Sequence, residues 1–150
     1  MQISIRPLMG ALALVAIGFA GDTLVRGDAA KKITHWTAAD LKWSPAPAGP
    51  LMEAPAWSNA SGAFCRFTKF PKGTKIPLHH HSADVSAVVM AGQWGSAEQG
   101  STVKLGGAGA YQLIPAGLLH TTECGAAGDC VIYVCGPAAF DMVEAKPAGK

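Results

Sequence analysis

Residues 73–92 read GTKIPLHHHSADVSAVVMAG, and residues 109–120 read GAYQLIPAGLLH. Each stretch is a short apolar run bracketed by Gly and Pro, which is how strands and their turns are written in sequence. Successive side chains of a strand point to opposite faces, so His79 and His81 share one face and His80 takes the other. Two imidazoles on one strand need a third ligand from a distant strand, and His120 offers it. Neutral imidazoles on rigid strands suit Zn, Fe, Ni, Mn or Cu.

Outward from these stretches the pattern stays extended. Residues 63–70, 76–81, 85–90, 102–105, 110–114, 119–123 and 131–134 are strand candidates. Residues 71–74 and 92–95 read as turns. Runs of four to eight residues at near-regular spacing predict an all-β sandwich or barrel. No amphipathic run of 12 or more residues competes with that reading, and there is no internal repeat. Leu78, Val89, Leu113, Ile114, Ile132 and Val134 are candidates for the packed strands. Residues 35–61 carry Trp36, Trp43 and Trp57 among Pro-rich turns and read as an irregular wrap, with one short helical turn over residues 37–41.

The spacing Gly73-(5)-His79-x-His81 followed by Gly92 resembles the first cupin motif, G-x5-H-x-H-x3/4-E-x6-G. Gly109-(5)-Pro115-x-Gly117-xx-His120 resembles the second, G-x5-P-x-G-xx-H-x3-N. The resemblance spans about residues 62–135 and points to a small, single-domain bacterial cupin of a poorly characterised exported branch. It implies a cupin jelly-roll (double-stranded β-helix) barrel holding a divalent metal ion on His79, His81 and His120. Two positions depart from the motifs. Val85 stands where the family usually places a glutamate ligand, and Cys124 stands at the final Asn position. Asp84 is adjacent to Val85, but alternation aims it away unless a bulge intervenes. Three histidines without the carboxylate leave coordination positions open, the arrangement of catalytic rather than structural sites. His80 and His35 read as surface or supporting groups.

The remaining sequence sets the context. The chain has 150 residues, 49% of them hydrophobic and 15% charged, with a net charge of +2. That composition supports one packed domain and excludes general disorder. The one basic pair, Lys31-Lys32, is too short for a nucleic-acid footprint. Residues 1–20 read as a secretory signal, with Arg6 ahead of the apolar run Leu8 to Phe19 and a small-x-small site at Gly18-Phe19-Ala20. Asp22 ends the run too early for a stable membrane span. A second cleavage point lies at Gly27-Asp28-Ala29. The expected organisation is a signal peptide over 1–20, a lead-in and wrap over 21–61, and the cupin domain over 62–150, in a periplasmic or secreted protein.

Export favours disulfides among Cys65, Cys124, Cys130 and Cys135, with three connectivities open. Cys124 and Cys130 flank a hairpin turn over residues 125–129, so that bridge is preferred, and Cys65–Cys135 follows by elimination. The other reading makes some of them small buried hydrophobes.

Two functions fit. One is an exported metalloenzyme of oxygenase, isomerase or lyase type acting on a small molecule. The other is a cupin that binds or senses a small ligand without turnover. Glu123 and Asp84 are the acid/base candidates, and both are expected to face out. Tyr111, Tyr133 and Trp94 are weaker site candidates. A homodimer is left open.

Overall fold

Alternation of apolar side chains across the chain builds ten strands, all paired antiparallel, in the computed structural model, which describes residues 33–47 and 49–145. They are β1 (Ser44–Pro45), β2 (Met52–Ser58), β3 (Phe64–Phe70), β4 (Lys75–His80), β5 (Val85–Ala91), β6 (Trp94–Glu98), β7 (Tyr111–Ile114), β8 (His120–Cys124), β9 (Cys130–Gly136) and β10 (Val143–Glu144). A six-stranded sheet runs β1-β2-β3-β9-β5-β7, and a four-stranded sheet runs β10-β4-β8-β6. The expected all-β fold is present, and the two sheets face each other as a jelly roll. The secretory leader expected over residues 1–20 and the Ala29 cleavage point lie outside the described residues. Among the described residues no helix is long and apolar enough to cross a membrane.

The core follows period two. Val85, Ala87 and Val89 of β5 are buried, as are Cys130, Ile132 and Val134 of β9. These strands lie side by side, with Ala87 opposite Val134 and Val89 opposite Ile132. Phe70, Trp94, Ile114 and Cys124 complete the cluster. Of the six packed positions expected from sequence, Val89, Ile114, Ile132 and Val134 are buried. Leu113 is not: it is 56% exposed, because its neighbour Ile114 takes the inner face and alternation sends Leu113 outward. Leu78 is half-buried.

Four strands, the short β1 and β10 and the longer β2 and β6, depart from the sequence reading. The segment read as an irregular wrap contains β2, paired with β3 over almost its whole length. Pro55 hid it, because proline removes a ladder donor. Here Pro55 sits beyond the reach of the short β1, which pairs only with Met52 and Glu53, so no partner on that edge misses the N–H. The turn read over residues 92–95 is shorter than expected: Gly92 and Gln93 make it, and β6 already starts at Trp94, with Gly95 inside the strand. A Cβ there would collide with the backbone oxygen of Lys104, so glycine marks a close backbone approach. Residues 102–105 are not a strand. They lead into one isolated bridge between Gly106 and Trp94. The helical turn expected near residue 38 is a short 3-10 turn over Ala38–Asp40.

Both preferred disulfides are present, Cys124–Cys130 and Cys65–Cys135. The first joins β8 to β9, which do not pair as the expected hairpin but lie in different sheets, and so it ties the two sheets together. The second joins directly opposed residues of β3 and β9 within the larger sheet. Gly92 explains the last glycine of its motif. Its φ is +76°, and a Cβ would come within 2.5 Å of the Asp129 oxygen and 2.9 Å of Cys130 Cα. Only glycine lets the β5–β6 turn pass against the Asp129–Cys130 backbone that enters β9.

Candidate metal centre

The four-stranded sheet assembles the histidines. β4 pairs with β8, and its register places His79 directly opposite His120. A register shift between Ile76 and His79 lets both residues face the interior although they are three apart. His81 follows two residues after His79 and returns to the same side. The ring centroids are 4.1 Å apart for His79 and His120, and 5.1 Å from His81 to each. All three side chains are buried, with 3%, 5% and 1% exposure for His79, His81 and His120. One ligand nitrogen from each lies within 4.8 Å of the others.

Each ring is held by its far nitrogen. His79 Nδ1 is 2.7 Å from the Pro77 oxygen, His120 Nδ1 is 2.8 Å from the Leu118 oxygen, and His81 Nδ1 is 2.6 Å from the Asp141 oxygen. A backbone carbonyl only accepts, so each Nδ1–H donates, and this assignment leaves each Nε2 as a bare lone pair. His120 Nε2 is buried with no partner in the protein. Fixing a ligating imidazole through its other nitrogen is the usual support of a metal site. The three histidines are therefore positioned to hold a metal ion.

Electrostatics point the same way. Burial lowers the proton affinity of all three imidazoles, partly opposed by the carbonyl bonds. His79, which also feels His120 and His81, falls to about 4. Neutral rings are the form a cation needs.

The C-terminal segment completes the centre, and sequence gave no sign of it. Asp141 supplies its backbone oxygen to His81, while its carboxylate accepts from the Ser82 N–H and hydroxyl. Those two Ser82 bonds hold the carboxyl below its usual range. Phe140 packs on the His81 ring at 4.8 Å. Any residue type can offer a backbone carbonyl, so no motif encodes the contact.

The other sequence candidates lie elsewhere. Asp84 is turned away from the histidines: its Oδ1 accepts from the Ala116 N–H at 2.8 Å and fixes the loop before His120. Glu123 faces out and pairs with Lys75 at 3.2 Å. Cys124 is held in its disulfide. His80 lies on the opposite face of the strand, half-buried, and His35 is exposed. Tyr111 is 61% exposed, and Tyr133 packs against Phe67 on the outer side of the larger sheet. Val85 is buried in the cavity wall. Among the described residues no carboxylate joins the three histidines.

A cavity of about 370 Å³ opens beside His79 and His81, at the small end of the range for ligand sites. Apolar residues such as Ile114, Ile132 and Val134 form most of its wall. Arg66 and Glu53 also line it, with Arg66 Nη2 3.1 Å from Glu53 Oε1. The guanidinium lies 4.1 Å over the Phe140 ring. Trp94 lines the same cavity and is 4% exposed. None of Arg66, Glu53 or Phe140 was a site candidate in the sequence.

Residues 31–139 match the family model described as the ChrR Cupin-like domain. The chain belongs to this cupin family. Solved cupin structures share the fold. The polyketide cyclase RemF from Streptomyces resistomycificus is 15% identical, with a TM-score of 0.65 over 78% of this chain and 88% of that one. The DMSP lyase DddQ from Ruegeria pomeroyi is 17% identical, with a TM-score of 0.59 over 75% of this chain and 64% of that one. The complex of Rhodobacter sphaeroides SigE with the anti-sigma ChrR gives 21% identity and a TM-score of 0.55, over 67% of this chain and 51% of that one. These identities establish the shared fold and nothing finer. No curated protein matches the sequence.

Proposed function

We propose that this chain is an exported cupin that binds one divalent metal ion through His79, His81 and His120 and presents it to a small molecule in the adjoining cavity. One observation carries the reading: three buried imidazoles, each anchored at Nδ1 by a carbonyl, bring one nitrogen apiece within 4.8 Å of the others, and two of them line a ligand-sized space. The donor set fits Fe, Mn, Zn, Ni or Cu. When bound, such an ion would act as a Lewis acid or O₂-binding centre with open positions. The chain's own part is to hold the imidazoles neutral, keep water out with apolar walls, and orient the guest. That is the setting for oxygenase, isomerase or lyase chemistry, and the polyketide cyclase and DMSP lyase that share the fold are cupins of enzymatic type.

A second reading, a binding or sensing cupin without turnover, is favoured by the state of the cavity's carboxylates. Glu53 is tied to Arg66 and Asp141 to Ser82, so neither stands free as a general base. The two disulfides accord with export. Elemental analysis of protein purified without chelator, followed by oxygen-uptake and product assays on the reloaded protein, tests the proposal. About one equivalent of metal supports it. Metal-free protein that takes up none of the five ions would refute it.

A further inference from the structure

The inner face of β3 is polar at the point where a jelly-roll core should be apolar. Alternation places Arg66, Thr68 and Phe70 toward the cavity. Thr68 is 4% exposed, yet its Oγ1 has no hydrogen-bond partner. Arg66 spends Nη2 on Glu53, and its buried Nε has no partner. On the facing sheet, Trp94 is 4% exposed, and its Nε1 is also unpartnered. An unmade hydrogen bond at a buried polar atom costs roughly 1–3 kcal/mol. All three residues line one cavity, and a guest that settles against them and draws these side chains toward it can supply the missing partners. Arg66 Nε and Trp94 Nε1 are N–H donors without acceptor capacity, and the Thr68 hydroxyl can donate. The guest must therefore present oxygen acceptors. A guanidinium matches a carboxylate best, because its planar fork pairs with two oxygens. Glu53 holds the fork in place from one side, and Phe140 covers its face.

We propose that Arg66, Thr68 and Trp94 form an anion subsite that takes the carboxylate of a small, largely apolar acid. The apolar wall of Ile132, Val134 and Ile114 houses the body of that acid. The assignment deepens the metal reading by naming the class of guest, and it rests on that reading for the guest's approach to the histidines. The carboxylate contacts themselves belong to β3 and β6 and do not need the ion.

Benzoate and benzamide, which share a ring and differ in charge, titrated calorimetrically into metal-free full-length protein at pH 7, provide the test. The subsite predicts that benzoate binds at least tenfold more tightly than benzamide. Thr68→Val, which keeps the shape and removes the hydroxyl, should weaken benzoate several-fold. The paired change Arg66→Met with Glu53→Gln leaves no unpaired charge behind, and it should weaken benzoate tenfold or more while metal content stays as in the unaltered protein. Equal binding of the two probes, no binding of benzoate, or unaltered benzoate affinity in both Thr68→Val and the double variant would overturn the proposal. If the protein takes up no metal but keeps its preference for benzoate, the metal reading falls and the subsite stands.

Discussion

The two sheets of this barrel divide the work unequally. The four-stranded sheet places the three histidines: strand pairing sets His79 opposite His120 across β4 and β8, and His81, one residue past the end of β4, returns to the same side. The six-stranded sheet carries no candidate ligand. It supplies the apolar wall and, on β2 and β3, the Glu53–Arg66 pair and Thr68. One sheet brings the imidazoles together, and the other supplies most of the cavity wall beside them. The family motifs are written almost wholly in the strands and turns around the histidines, so they are silent on Arg66, Glu53 and Thr68 of the opposite wall.

The contrast can be broken at the links within and between sheets. Cys65–Cys135 ties β3 to β9 inside the larger sheet and spans 70 residues, whereas Cys124–Cys130 ties the sheets together and spans 6. Loop-closure entropy predicts that removing the first pair costs about 4 kcal/mol and removing the second about 2 kcal/mol. Denaturant unfolding of the two double Cys→Ser variants checks the order. Equal losses would mean that chain entropy does not govern either bridge.

Within the larger sheet, inner and outer positions should differ nearly as much. Ile114→Ala opens space beside the cavity and should cost about 3 kcal/mol. Leu113→Ala, one residue earlier and 56% exposed, should cost less than about 1 kcal/mol. Similar values would contradict the face assignment of β7.

The histidine cluster should make stability respond to acid. Each histidine of the cluster has a lower proton affinity in the folded chain than in the unfolded one. Below the ordinary imidazole value of 6.5, the unfolded chain binds more protons. Stability of metal-free protein is therefore fully present above that pH and is lost as the pH falls toward about 4, the value for His79. Unfolding curves at successive pH values should show this loss, and His79→Phe should flatten part of it. A smaller effect is expected at the shared wall. Val85→Glu places a carboxylate in the cavity lining and should shift ion preference toward harder Mn over Zn, read by competition at equal concentrations.

Much of this was legible in advance, and for a physical reason. Period two fixed which histidines share a face, and glycine and proline punctuation fixed most strand ends. The short Cys124–Cys130 spacing pointed to one disulfide, although the two cysteines lie on strands of different sheets and not on a paired hairpin, and pairing off the rest identified the other. What stayed hidden broke a local rule for a local cause. Pro55 masked β2 because it sits where β1 has already ended. Gly95 masked β6 because Lys104 passes too close for a side chain. Arg66 and Thr68 were passed over because they face the interior from a run, FCRFTKF, whose two faces carry similar numbers of polar residues. Functional sites are where such rules are expected to fail. Asp141 contributes through its backbone, which leaves no trace in residue type.

Metal content per chain in four single variants tests the central claim most directly. At limiting metal, His79→Ala, His81→Ala and His120→Ala should each lower affinity by more than about 100-fold, beyond the loss typical of changes to supporting groups. His80→Ala, from the opposite face of the same strand, should retain the occupancy of the unaltered protein. If His80→Ala empties the site as completely as His81→Ala does, the three-histidine centre is contradicted.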